Sequence, residues 1–283
     1  MSGCPILFVG NSATIGGTDQ NMIDYMTSRG YTVDYVHDNV AVVGDAIGKS
    51  MIWIAENANS TTMANFFSDV NIGVIVNRRQ HLDTFFMSTT IGGNNNNETS
   101  ITISAVGSTH PLGAGLPAGP VTISGNESYS HVPGTFGAGI IQVATITGQP
   151  TQHCIFGYDV GGLRTNGTPS PGRRTFLFYR RNNGDPETNY NTVGKTLLNN
   201  ALAWTSALNR NLDCNGVCGG VSIPDCAGIC YDPSLGNAAN THDCDGICRP
   251  RCNGEVFEDC SKTCKICIQN TFRLTRFRSR NKK

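Results

Sequence analysis

Ten of the chain's twelve cysteines lie between Cys214 and Cys267, and only Cys4 and Cys154 lie elsewhere. The ten stand in a tandem repeat. Asp213-Cys-Asn-Gly-Val-Cys218, Asp225-Cys-Ala-Gly-Ile-Cys230 and Asp243-Cys-Asp-Gly-Ile-Cys248 all read D-C-x-G-[VI]-C, and Asp259-Cys-Ser-Lys-Thr-Cys264 is a decayed copy. The stretch holds too few large apolar residues to fold on a hydrophobic core, so covalent or metal staples must hold it. Two different bodies therefore share the 283 residues. Residues 1–209 form a Gly-rich domain able to bury its own core, residues 210–268 form the repeat module, and residues 269–283 form a tail.

Disulfides are the leading explanation for the module, through Cys214, Cys218, Cys226, Cys230, Cys244, Cys248, Cys252, Cys260, Cys264 and Cys267. Ten cysteines suffice for five bonds, and their pairing does not follow from the sequence. Zinc is a rival, because Cys264-Lys-Ile-Cys267 has the C-x-x-C knuckle, but the other pairs are C-x-x-x-C and no His completes a set. Calcium is another. Asp213-x-Asn215-Gly216 and Asp243-x-Asp245-Gly246 open as many calcium loops do, without the Glu at the twelfth position, and the same residues also form Asx-turns at a repeat boundary.

The chain has as many acids as bases, 21 of each, but six of the bases, Arg273 to Lys283, crowd the last eleven residues. That leaves fifteen bases against twenty-one acids before them. A general nucleic-acid-binding surface is excluded on this balance, while the tail could contact nucleic acid or an acidic surface, or serve as a solubilising end. No apolar stretch is long enough for a membrane span. No secretory leader is visible either: Pro5 to Val9 is too short, and no charged segment precedes it. The chain then begins at a trimmed start, or reaches an oxidising place by another route.

In the first domain, apolar runs alternate with helical patterns. Pro5 to Gly10 reads as a buried strand, and Met22, Ile23 and Met26 recur at helical spacing between a cap at Thr18 or Asp19 and a stop at Gly30. Tyr31 to Tyr35 alternates like an edge strand. A short helix follows near Val40 to Ile47, a strand at Met51 to Ala55, a helix around Thr62 to Phe67, and a strand at Ile72 to Val76. Such alternation predicts parallel βαβ units, with the second strand at the edge as in flavodoxin-like order. Beyond Met87 the texture is rich in Thr, Ser, Gly and Asn, including Asn94 to Asn97. Strand candidates there are 102–106, 121–124, 140–146, 154–158 and 174–179, before one amphipathic helix from Tyr190 to Leu208 whose start is marked by Asp185-Pro186.

The ordered set RGYTVDYV, MIWIAEN, THPLGAGL, CIFGYDVGG, GTPSPGRRTFLFY and ALAWTSAL resembles class I glutamine amidotransferase-like domains, including trehalose-utilisation-type relatives. The repeats resemble the DCNGVCGG arrays of surface and large-DNA-virus proteins. The first resemblance, over about residues 5–208, implies a flavodoxin-like three-layer α/β sandwich with a mainly parallel sheet, to which the chain adds its small disulfide-rich module. It also implies a Cys nucleophile on a strand-to-helix turn, but the corresponding strand here ends Val76-Asn77-Arg78-Arg79-Gln80, without Cys, Ser or Thr. Cys4 and Cys154 read as buried structural residues.

No catalytic set is therefore assigned. Open α/β sheets bind ligands at the carboxyl ends of their strands, which makes Asn11, Ser12, Glu56, Asn57, Asn77 and Arg78 ligand candidates, and His110 joins them through the THPLGAGL segment. His37, His81, His131 and His242 show no metal-ligand spacing. The sequence points to a non-catalytic surface or virion structural protein that meets capsid or surface components, without a cofactor unless calcium binds. A hydrolase of carbohydrates or amides using Glu56, Arg78 or His110 is one alternative, and calcium-dependent adhesion through the repeats is another. Four sequons, at Asn59, Asn97, Asn126 and Asn166, suit a surface location.

Overall fold

A strand that is apolar at every position needs cover on both faces, which places it inside a sheet rather than at its rim. Strand β1 (Ile6–Gly10) is of this kind, with all five residues buried. The computed structural model describes residues 4–12, 15–63, 65–180 and 184–207, together with 213, 218, 222–224, 230–231, 241–242 and 248–249. After β1 come α1 (Gly17–Ser28), β2 (Val33–His37), β3 (Met51–Ile54), α2 (Ser60–Met63) and β4 (Gly73–Val76). Then follow β5 (Gly93–Ile103), α3 (Ala105–Thr109), β6 (Gly119–His131), β7 (Ile140–Ile146), β8 (Gln149–Tyr158), β9 (Arg174–Phe176), α4 (Pro186–Asn189) and α5 (Thr192–Ser206).

Nine strands form one sheet in the order β2-β1-β3-β4-β9-β8-β7-β5-β6. The first five are parallel neighbours in flavodoxin-like order with β2 at the edge. From β9 onward every neighbour is antiparallel. The sheet is thus mixed, half parallel and half antiparallel, where a mainly parallel one was expected. The reason is that the Thr-, Ser- and Asn-rich half builds long hairpins instead of crossover helices.

The two sheet faces bury two separate cores. Alternate residues Ile6, Phe8, Met51, Trp53 and Ile75 pack with Met22, Tyr25 and Met26 of α1 and Leu197, Leu198, Ala201 and Leu202 of α5. Their neighbours Leu7, Val9, Ile52, Ile54, Val74 and Val76 face Ala41, Ala46, Met63, Phe67, Phe85 and Met87, contributed mostly by turns. The helices expected near Val40 to Ile47 and Thr62 to Phe67 are accordingly a 3₁₀ turn at Val43–Ala46 and the single turn of α2. Among the described residues no helix is long and apolar enough to cross a membrane.

Local chemistry explains the other departures. Helix α1 has Gly16 at its N-cap without a side-chain bond, and Asp19, buried at 2% exposure, turns to the strand ends instead of capping. Gly30 takes φ +83° just past the helix, as expected of a stop. The terminal helix is two helices because Asn191 accepts from Gly194 N and starts α5 afresh, after Asp185 has capped α4. The Asn run lies inside β5: Ser130 Oγ donates to Asn94 at 3.1 Å, Ser128 Oγ to Asn96 at 2.6 Å, and Asn95 to Gln152 at 2.9 Å. Asn97, at φ +62°, marks the bulge.

Arg174, fully buried, has no carboxylate in hydrogen-bond contact among the described residues. Its guanidinium donates instead to the carbonyls of Ser68, Val70, Ile72 and Arg173 and so fixes the approach to β4. Burial, with Arg164 nearby, lowers its pKa to about 9.

The chain divides into two compact units, 1–212 with 217–219, and 213–216 with 220–283. In the first, Cys4 is bonded to Cys218. Cys4 is buried and structural, but its role is to hold a cysteine of the repeats, so Cys218 is not available to another repeat cysteine. In the second, β10 (Ile223–Pro224) pairs with β11 (Cys230–Tyr231), and β12 (Thr241–His242) with β13 (Cys248–Arg249), all antiparallel. In both ladders the residue before the repeat's Asp pairs with the repeat's last Cys, so the sequence repeat is also a structural one.

Candidate functional site

Six of the seven candidate ligand residues lie where the strand-end rule places them, at the carboxyl ends of β1, β3 and β4. Five of them, all but Asn77, are held through bonds that sequence reasoning missed. Asn11 Nδ2 donates to Asp38 Oδ2 at 2.7 Å, and the same oxygen accepts the Asn59 backbone N–H. Asn57 Nδ2 donates to Asp19 at 2.8 Å, and Ser12 Oγ lies 3.4 Å from the same carboxylate. Tyr35 Oη receives the Ser12 N–H at 2.9 Å and donates to the Ser12 carbonyl at 2.8 Å. Arg180 Nε pairs with Glu56 at 3.1 Å, and Arg78 donates to the Glu56 carbonyl.

The loop after β3, residues 55–59, is thus held from α1, from the end of β2, from the end of β4 and from the segment after β9. Asp19 and Asp38 are buried, at 2% and 1% exposure. Around them the Asn77 side-chain amide, Asn57 Oδ1 and Arg78 Nε are sealed from solvent without a hydrogen-bond partner among the described residues, while Asp38 Oδ1 lies 3.1 Å from His37 Nδ1 and the His81 ring interacts with the Ala58 backbone. Burial, reinforced by Arg78, pushes the His81 pKa down to about 4, so its imidazole is neutral near pH 7. Burial also lowers Arg78, against the pull of Glu56.

No nucleophile elbow follows β4. Arg78 is extended at φ −88° and ψ 112°, and the left-handed non-glycine residues among those described are Phe86, Asn97 and Ala114. The strained turn that presents a nucleophile is missing along with the nucleophile itself. Cys154 is fully buried in β8, and burial raises its thiol pKa far above the usual range, which leaves it unreactive.

His110 does not join the others. Its Nδ1 accepts the Leu112 N–H at 3.2 Å, and its ring meets Trp204 edge-on at 5.2 Å. Arg173, which lies over Trp204 and pairs with Asp159 at 3.0 Å, directly precedes β9. The cluster therefore sits at the amino ends of the parallel strands, opposite Glu56 and Arg78.

Among the described residues no three His, Cys, Asp or Glu side chains gather as a metal site. Asp213 Oδ2 accepts the Ser222 N–H at 3.3 Å, while Asn215, Asp243 and Asp245 lie outside the described residues. Cys230, like Cys218, is disulfide-bonded. Cys214, Cys226, Cys244, Cys252, Cys260, Cys264, Cys267 and the basic tail also lie outside the described residues.

No family model matches the chain, and no curated protein matches it in sequence. Solved structures do align with it. A protein of Thermoplasma acidophilum described as part of a GMP synthase matches at 10% identity over 72% of this chain and 95% of that one, with a TM-score of 0.48. A ThuA-like protein of Parabacteroides merdae aligns at 12% identity over 71% and 89%, with a TM-score of 0.44. A glutamine amidotransferase of Thermotoga maritima aligns at 10% over 71% and 97%, with a TM-score of 0.40.

Proposed function

We propose that the chain is a non-catalytic surface or virion structural protein, whose α/β domain serves as a scaffold and whose stapled repeats serve as a stalk. The observation that carries this reading is the use made of the strand ends. Glu56, Asn57, Asn11 and Arg78, the groups a ligand or substrate would need, are engaged with Arg180, Asp19, Asp38 and the Glu56 carbonyl. Of the three groups a hydrolase would draw together, His110 lies at the other end of the sheet. Partners on this reading are capsid or surface proteins, the basic tail contacts an acidic surface or nucleic acid, and no cofactor is required unless the repeats bind calcium.

The test uses the folded chain with its disulfides intact. Incubation with a diazo-ketone glutamine analogue and with a fluorophosphonate should leave the intact mass unchanged, because no activated nucleophile stands at the strand ends. A stoichiometric adduct at Ser12 or Cys154 overturns the reading. Immunogold labelling should place the protein on the outside of particles or cells, and a cytosolic, fully reduced pool contradicts that location.

A further inference from the structure

The crossover from β2 to β3 inverts the usual sorting of side chains. Ala41 and Ala46 are its buried contacts with the turn-covered core, at 3% and 8% exposure. Its large aliphatics face solvent instead: Val40 at 65%, Val42 at 56%, Val43 at 53% and Ile47 at 79%. The segment cannot simply turn over, because it is tied to β2 at both ends. The His37 carbonyl accepts the N–H groups of Val40 and Ala41, and Lys49 Nζ pairs with Asp34 at 2.5 Å. The four side chains together expose apolar surface on the order of 300 Å², the size of the largest patch on many monomers and one that is often functional.

Among the described residues, strand β2 is also an open edge. Ile6 N donates to the Thr32 carbonyl and Asp38 N to that of Gly10, which fixes the phase of the ladder. Even-numbered residues turn their backbone groups to β1. Both backbone groups of Val33 and Tyr35, and the N–H of His37, point away from the sheet. Such an edge is usually blunted by charge, but Asp34, the one carboxylate on it, is neutralised by Lys49.

We propose that a second copy of this chain covers this face, in a two-fold dimer whose β2 strands pair antiparallel about Tyr35. Centred on Tyr35, each Tyr35 exchanges both backbone bonds with its counterpart, each His37 N–H meets the Val33 carbonyl of the other copy, and Asp34 faces the other copy's Val36 rather than a second Asp34–Lys49 pair. A register centred on Val36 keeps only two such bonds, because both Tyr35 N–H groups then face the His37 carbonyl that the turn already uses. A strand seam alone is small. With an aliphatic strip from each copy beside it, the contact approaches the roughly 800 Å² per partner of a stable interface, and the same patch serves both copies, which is what two-fold symmetry requires.

Sedimentation velocity of the full chain, up to about 100 µM, should show a dimer that runs as a monomer on non-reducing denaturing gels. Exchange of the Tyr35 and His37 amides should slow as concentration rises. The double substitution Val42→Lys, Ile47→Lys should weaken association about tenfold or more, with the far-UV spectrum unchanged because these side chains face solvent in the single chain. A chain that stays monomeric, or a dimer untouched by the substitutions whose Tyr35 amide exchanges at a concentration-independent rate, overturns the proposal. So does a monomer that binds lipid vesicles through the strip. Should the double variant lose its fold, amide exchange in the parent chain decides alone.

Discussion

The Cys4–Cys218 bond spans 214 residues and ties the chain just before the central strand β1 to a point beyond α5. Replacing both cysteines by serine releases the ends of the α/β unit together, without leaving an orphan thiol. In the chain-entropy model a loop of this length restricts the unfolded chain by about 5 kcal/mol at 25 °C. For a unit of some 200 residues this corresponds to a melting temperature lower by roughly 10–20 °C. The fall should come mainly from the unfolded state, so the folded far-UV spectrum should stay the same. Differential scanning calorimetry of the parent and the double variant reads the shift, and peptide mapping without reductant confirms the linkage. Cys4 is buried at 4% exposure, so reduction of the native parent should be slow and should track opening of the N-terminal segment. A double variant melting within about 2 °C of the parent would refute the reasoning, because a bond closing so long a loop cannot be thermodynamically silent unless it is not formed or is offset by native strain.

Other consequences can be measured directly. Arg174→Met leaves the carbonyls of Val70 and Ile72 without their buried side-chain donor and takes one of two from Ser68, which keeps Arg164, and urea denaturation should show a loss of about 3 kcal/mol or more, with Arg174→Lys recovering only part of it. His81 has a folded pKa of about 4, below its unfolded value, so the unfolded chain takes up the proton first. Its stabilising contribution is present above about pH 6.5, is lost as pH falls through about 4, and reaches about 3 kcal/mol, a slope that His81→Asn should flatten. Burial lowers His110, His131 and His153 as well, so acid lability should exceed that of one site. With Cys4 and Cys218 joined and Cys154 free, nine cysteines remain, an odd number. Alkylation of the denatured, unreduced monomer should therefore label at least two cysteines, and Cys154 only after denaturation; complete protection would show that Cys154 pairs.

The parallel half of the sheet was legible because β1, β3 and β4 are unbroken apolar runs, and the edge position of β2 because its residues alternate. The Asn run was not, since amides usually mark loops; here Ser128, Ser130 and Gln152 meet those amides from neighbouring strands, and no local pattern announces that. The strand-end rule named Asn11, Ser12, Glu56, Asn57, Asn77 and Arg78, which follow β1, β3 and β4. It could not supply Asp38, Asp19 or Arg180, whose bonds cross 27, 38 and 124 residues of chain. Asp19 reads as a helix cap, and only the structure shows its side chain turned away. The Cys4 bond was hidden for the same reason: the repeat's own spacing suggested that its cysteines were partners for one another.

The strand ends also show why position alone did not make a reactive site. A sheet of this order leaves a crevice where β1 and β3 diverge, and a ligand there needs polar groups that are fixed but unspent. In this chain Asp38 is spent on Asn11 and the Asn59 amide, Asp19 on Asn57, and Glu56 on Arg180, with both members of that ion pair mostly buried, at 14% and 16% exposure. Freeing Glu56 would strand Arg180 in a partly desolvated place, a cost that a ligand would have to repay before gaining any affinity. The atoms left unspent among the described residues, on Asn77, Asn57 and Arg78, are sealed from solvent. The same contacts that stiffen the top of the sheet thus close it. Among the described residues, the edge of β2 keeps capacity, with backbone donors, backbone acceptors and, in the crossover that follows it, four aliphatic side chains facing outward.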